Sequence, residues 1–292
     1  MLFGEQNLKK YQDESTNVSR VSVSLIYSSP SIITFFHFVS KSSGLPFEFR
    51  FGVHAGNARE FFTESPEHRE LIVARMDIIS TYSERHLFQK PIADKAVKEF
   101  ASWAGVRGDC RDLAMHLEQD FVVLLADEAG REIFQAGVVC FPSSWRPEEK
   151  IGLPVHEIHS PVPTLNERLG NRIDKFLASI ETGTTWERTN WGMSWSPNLN
   201  QYPDCEIPKM AATFGLDEVW VRREDQVLFR LPETKALIFG INVINIPVAE
   251  IAADADGCAG LQRAVETMSE DIAVYKNMSK ARTRLLDLLV TQ

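Results

Sequence analysis

Two apolar, strand-like runs flank a chain reversal between His116 and Phe141, and this pairing constrains the fold more than any other feature of the sequence. The first run, His116–Leu125, ends in Phe121-Val122-Val123-Leu124-Leu125. The second, Ile133–Phe141, is rich in β-branched and aromatic residues. Such content suits a buried pleated strand. Between them, Asp127-Glu128-Ala129-Gly130 supplies the residue types a turn demands, so the two runs are expected to form an antiparallel hairpin. Val219–Pro232 and Ala236–Pro247 read as two more strands. Helical spacing occurs at Pro66–Leu87 and Asp94–Ala104, and at Leu165–Ile180, where Leu169, Ile173, Phe176 and Leu177 share a face. Ala259–Leu289 is helical by pattern. No βαβ unit repeats, so the expected class is α+β with an antiparallel sheet. Residues 1–20 read as a flexible N-terminus, and Ile32–Val39 and Phe47–Val53 as strands. A single domain is expected over 21–292, with its core around 116–250 and a C-terminal helix.

Charge and motif content narrow the function. The net charge of -9 and the lack of any Lys/Arg-rich run disfavour a nucleic-acid partner. The early apolar run Ser31–Val39 is far shorter than the roughly 20 residues needed to span a bilayer. The N-terminus lacks a signal-peptide pattern, so a cytoplasmic protein without membrane association is expected. Cys110, Cys140, Cys205 and Cys258 show no C-x-x-C spacing, which argues against common zinc and iron–sulfur frameworks. G-x-G-x-x-G, the P-loop, H-E-x-x-H and G-x-S-x-G are all absent.

Prolines at 142, 147, 154, 161 and 163 make 142–163 a long irregular segment, a kind that is often functional. It carries His156 and His159. A neutral imidazole is the commonest metal ligand and a standard proximal ligand of heme iron. On spacing alone, two loop histidines bonded to backbone are the plainer reading. A Cys140 thiolate is another route to iron, but within Gly137-Val138-Val139-Cys140-Phe141 it reads as a buried, inert thiol.

The stretch Cys140-Phe141-Pro142-Ser143-Ser144-Trp145-Arg146-Pro147-Glu148-Glu149-Lys150-Ile151-Gly152, followed by Ile158-His159-Ser160-Pro161-Val162-Pro163, resembles the signature of the heme-dependent oxidative N-demethylase alpha-subunit family. Arg188-Thr189-Asn190-Trp191 resembles its R-x-N-W motif. Arg222, Glu224, Gln226, Leu228, Arg230, Leu231 and Pro232 resemble its R-x-E-x-Q-x-L-x-R-L-P strand. The likeness runs from about Gln119 to Pro247. It implies a PAS-like sheet carrying heme b, activation of dioxygen, electrons from separate flavin and iron–sulfur partners, and oxidation of a small amine-type substrate.

The resemblance also assigns roles. His159, in its H-x-P-V-P context, is the expected iron ligand, with His156 the alternative. Arg146 and Lys150 are expected at the heme propionates, since carboxylates favour such cations, and Trp145 against the macrocycle. Arg222, Glu224 and Gln226 alternate on one strand and so share a face. They are the expected catalytic set, with Glu224 holding a cationic amine. A heme-based sensor, and a heme enzyme that works without a reductase, stay open as alternatives. The chain departs from the family pattern at Asp225 and Val227, where E-R-Q-T is usual, and in Phe239-Gly240-Ile241-Asn242-Val243, where F-T-I-R-T is usual. If these residues face the pocket, the substrate differs from dimethylamine, as in a biosynthetic variant.

Overall fold

The computed structural model describes residues 52–160, 165–208, 211 and 213–291, and of 165–171 the backbone alone. Residues 1–20, the strand expected at Ile32–Val39, and Phe47–Val53 up to Phe51 lie outside the described residues. Among the described residues seven strands occur: β1 (His54–Ala55), β2 (Leu87–Gln89), β3 (Asp120–Ala126), β4 (Glu132–Val138), β5 (Thr185–Ser194), β6 (Trp220–Arg230) and β7 (Leu237–Pro247). They form one antiparallel sheet in the order β1-β5-β6-β7-β3-β4-β2. With its helices this is the expected α+β arrangement.

The β3–β4 turn forms where Asp127 and Gly130 place it. The Asp127 carboxylate accepts from the backbone N–H groups of Ala129 and Arg131, each at 2.9 Å, and Gly130 takes a φ of +76°, which glycine adopts without steric penalty. The register then slips by one residue beyond Val123, a bulge of the kind that bends a strand. Gly137 lies so close to β3 that a Cβ there would stand 2.4 Å from the Phe121 carbonyl oxygen. β6 and β7 pair without interruption from Trp220↔Pro247 to Arg230↔Leu237.

Residues opposite each other across a ladder share a face, so the registers sort the sheet into two sides. One side packs Phe121, Val123, Val138, Val227, Phe229 and Ile238 against the helices His68–His86, Asp94–Trp103 and Cys110–Ala114. Farther along the same side, Trp191, Met193, Val221, Ile244 and Ile246 pack against the C-terminal helices. The Ala259–Leu289 region is three helices, Ala255–Thr267, Glu270–Tyr275 and Arg282–Val290. Ser269 caps the second of these by accepting from the Ile272 N–H. Asn277 ends it in the left-handed region at φ +58°, a common helix stop.

On the other side, Val122, Leu124, Phe134, Leu228 and Leu237 meet Ile173, Leu177 and Ile180 of the amphipathic helix Leu165–Ser179 and the residue that follows it. Arg230 fastens that helix end to the sheet. Its guanidinium donates to the carbonyls of Leu177 (2.7 Å), Ile180 (2.8 Å) and Lys235 (2.6 Å) and to the Glu132 carboxylate (2.8 Å). The last carbonyls of a helix lack intrahelical partners, and Arg230 satisfies two in this region while neutralising a buried acid. The apolar packing on this side stops short of the middle of β5, β6 and β7, and that stretch carries the polar residues.

Candidate functional site

Thr185–Ser194 has no apolar alternation, because past Trp186 the face that carries Arg188 and Asn190 is polar and not a core. Its register places Arg188 opposite Gln226, Asn190 opposite Glu224 and Gly192 opposite Arg222. Across β6, Gln226 faces Ile241 and Glu224 faces Val243. Arg188, Asn190, Glu224 and Gln226 therefore share one sheet face with an apolar wall from β7.

Glu224 is half-buried and accepts from three neighbours. Ser143 Oγ stands 2.5 Å from Oε1. Gln226 Nε2 and Asn190 Nδ2 donate to Oε2 at 3.0 and 3.3 Å. Arg222, on the same face, is 4% exposed. It donates to the carbonyls of Phe141 and Leu199 at 2.8 and 2.9 Å, to Ser143 Oγ at 2.7 Å and to Asn245 Oδ1 at 3.4 Å. Arg222 thus binds a loop to the sheet. Burial lowers its pKa to about 10, and the Glu224 charge opposes that drop.

Arg188, of the Arg188-Thr189-Asn190-Trp191 motif, is a further candidate that residue type alone does not single out. Its Nε is buried without a hydrogen-bond partner among the described residues. Burial lowers its pKa, while Glu224 and then Tyr275 counteract that. A buried guanidinium in this condition calls for an anionic or acceptor group. The spacing signal was available: Arg188 and Asn190 alternate as Glu224 and Gln226 do. Lys276, which the sequence did not single out, is 4% exposed. It donates to the Trp191 carbonyl and lies 4.7 Å from the centre of the Trp191 ring. Burial brings its pKa down to about 7, with Glu224 raising it and Arg188 lowering it.

His159 caps the short helix Val155–Ile158, its N–H donating to the Val155 carbonyl at 3.1 Å. The ring Nδ1 is buried and has no partner among the described residues. Burial first, and then the Arg188 charge, push its pKa down to about 4, so the ring is neutral at pH 7, the form that binds a metal. His156 stands 3.8 Å from both Asp174 and Glu157. Cys140 is fully buried, with its thiol pushed up to about 12 by burial, so it is a neutral core thiol.

The remaining loop residues separate. Trp145 packs against the core that contains Val122, Phe134 and Ile173, and the Lys150 charge reaches His159. Arg146 turns away from them. It donates to Tyr202 Oη at 2.7 Å and to Asp204 at 2.5 Å, and it stacks 5.0 Å from the Tyr202 ring centre.

A family model described as haem-dependent oxidative N-demethylase, alpha subunit-like, matches residues 109–286, more than half of the chain. The chain belongs to that family. An N-demethylase-like alpha subunit of this kind depends on heme, as the family name states, and heme iron takes four ligands from the porphyrin. One protein nitrogen is then enough, and the unpartnered His159 imidazole fits that requirement. Among the described residues, no helix is long and apolar enough to cross a membrane.

Asp225, Val227, Gly240 and Asn242 do not face this site, whereas Val243, which stands where F-T-I-R-T has its last threonine, lies opposite Glu224 on the site's own face. Asp225 and Asn242 oppose each other on the helix-covered side, and Val227 opposes Gly240 there. Asp225 is held by Arg223 Nε at 2.9 Å and Thr189 Oγ1 at 2.8 Å, and Val227 is fully buried in the core. The expectation that Asp225, Val227 and Asn242 reshape the pocket is corrected, since a strand alternates and they point the other way from Glu224 and Gln226, while the change at Val243 stays on the pocket's face.

Proposed function

We propose that the protein is a heme b monooxygenase acting on a small amine or other nitrogen-containing metabolite, with His159 as the iron ligand and Glu224 as the amine site. The observation that carries this reading is that a family member holds three groups linked by charge, Arg188 acting on His159 and Glu224 on Arg188. These are a buried imidazole nitrogen without a partner, a guanidinium nitrogen without a partner, and a carboxylate ringed by donors. Heme, when bound, supplies the activation of dioxygen. Reducing equivalents come from a separate flavin or iron–sulfur protein, as the resemblance implies.

The chain's own residues bind and orient. A carboxylate that accepts three hydrogen bonds and donates none is acceptor-only, the state suited to an ammonium ion. Asn190 and Gln226 hold its Oε2, and Ser143 holds Oε1. Ile241 and Val243, on the same face, keep water from the alkyl groups. Arg188 offers its unpaired donor to an anionic group of the cofactor or the substrate. Trp145 and Lys150 remain the proposed contacts to macrocycle and propionate. Arg146 would have to leave Asp204 to join them. Arg222 acts through the loop it fastens.

The test is turnover by the heme-loaded protein with a supplied reductant and a panel of secondary and tertiary methylamines. Formaldehyde released in equal amount to the shortened amine is expected. No amine oxidised, with heme bound, overturns the reading. Glu224→Gln is expected to raise KM at least tenfold, since a hydrogen bond to a charged group is worth about 1.5–3 kcal/mol, while heme content stays unchanged. Equal loss of heme and substrate binding would instead make Glu224 a structural residue.

A further inference from the structure

We propose that Ser143 is a positioning residue: its hydroxyl is forced to point at Glu224 by Arg222, and it sets the orientation in which Glu224 receives a cationic ligand. The inference rests on the reading of Glu224 as the amine site, and it deepens that reading.

The argument is one of hydrogen-bond direction. Arg222 Nε can only donate, and it reaches Ser143 Oγ at 2.7 Å. A lone pair of the hydroxyl is occupied by that bond, so its single proton is left to go to Glu224 Oε1, 2.5 Å away. A freely rotating serine would choose among partners, but this one has no choice. The bond to Glu224 is charge-assisted by its carboxylate acceptor, and the bond from Arg222 by its guanidinium donor, which makes each stronger than a neutral one.

Ser143 is itself held from both sides. Upstream, the N–H groups of Cys140 and Phe141 each donate to the Asp120 carboxylate at 2.8 Å, and Arg75 pairs with Asp120 at 2.5 Å. Asp120 is 1% exposed and Arg75 fully buried. Downstream, Ser144 is fixed at φ +61°, a conformation rare for a side-chain-bearing residue, with its N–H on the Gln201 carbonyl at 3.0 Å. The loop therefore delivers one hydroxyl to one place, and Arg222 orients it. Among the described residues the hydrogen bonds to Glu224 Oε2 come from two neutral amides, so the charge-assisted contact at Oε1 is the stronger hydrogen bond fixing the carboxylate plane.

The experiment titrates the heme-loaded protein with dimethylammonium and, as a neutral ligand of the same size, dimethyl ether. Ser143→Ala is expected to weaken dimethylammonium binding about tenfold, the scale of one hydrogen bond to a charged group. The ether affinity and the Soret band should be unchanged. Ser143→Thr, which keeps the hydroxyl, should restore the wild-type value. Ser143→Cys, close in size but a weak donor, should behave like Ser143→Ala and serves if the alanine variant does not fold. Unchanged dimethylammonium binding in Ser143→Ala or Ser143→Cys, alongside lost binding in Glu224→Gln, overturns the Ser143 proposal and leaves the amine site standing. If no variant, nor the wild type, binds dimethylammonium, the amine reading fails. The proposal is then decided by the crystal structure of Ser143→Ala, where a Glu224 carboxylate in its original plane refutes it and a rotated one supports it.

Discussion

Replacing Arg230 by methionine removes all four of its hydrogen bonds, to Leu177, Ile180, Lys235 and Glu132, and leaves the aliphatic stem. Glu132, 2% exposed on its side chain, then has no cation. Burial already raises its pKa, and Arg230 is what opposes that rise. Breaking a buried pair by removing one partner costs about 3–5 kcal/mol. The lost acceptor partners of the helix end act in the same direction. At about 2–4 °C per kcal/mol for a chain of this size, the midpoint of thermal unfolding should fall by roughly 6–20 °C. Part of the loss is relieved when Glu132 takes a proton, so the sign with pH is fixed. Its folded pKa is raised, so the penalty in Arg230→Met is largest above that pKa and shrinks as pH falls through it. Urea unfolding followed by circular dichroism, on wild type, Arg230→Met, Glu132→Gln and the double variant, closes a cycle. The double variant should recover more than 1 kcal/mol relative to additivity. A loss below about 1 kcal/mol in Arg230→Met, or an additive cycle, would refute the anchoring role (a surface pair behaves that way).

Two further outcomes follow from buried groups elsewhere. An unfolded lysine keeps its proton to about pH 10.4, whereas burial holds Lys276 at about 7. The unfolded state thus binds one more proton between those values, and stability should rise with pH at up to about 1.4 kcal/mol per unit. Lys276→Met should flatten that slope, and an unchanged slope in urea titrations from pH 7 to 10 would contradict the burial of the amine. Val227→Thr places an unpartnered hydroxyl in a fully buried core position and should cost about 1–3 kcal/mol. Substrate KM should not move, because the residue faces away from Glu224, and a changed substrate preference would count against the registers described above.

Periodicity carried the fold where one side of an element meets a core. The β3–β4 hairpin, β6, β7 and the Leu165–Ser179 helix all have such a side, and their apolar residues mark it. β5 was hidden because the polar Arg188 and Asn190 follow Trp186 on one face and leave no apolar alternation to read. The grouping of Arg222, Glu224 and Gln226 was legible from strand alternation alone. The same rule, applied one step further, already places Asp225 and Val227 on the opposite face. Burial of Arg222 beneath the Phe141–Ser143 loop was not legible, since it depends on contacts about 80 residues apart. Nor was the capture of Arg146 by Asp204, which lies 58 positions away. Residue type shows that a guanidinium seeks an anion, and only tertiary structure shows which one it has found.

The central claim is that His159 holds heme iron, and the absorption spectrum of the reconstituted protein tests it most directly. Wild type should bind heme and give a Soret band that shifts on reduction and again with carbon monoxide. His159→Gly should lose that spectrum and regain it when free imidazole is added, because the cavity left by the side chain can seat the missing ligand. His156→Ala should keep the wild-type spectrum. A His159→Gly protein that binds heme with an unaltered spectrum, or a His156→Ala protein that loses it, would contradict the account.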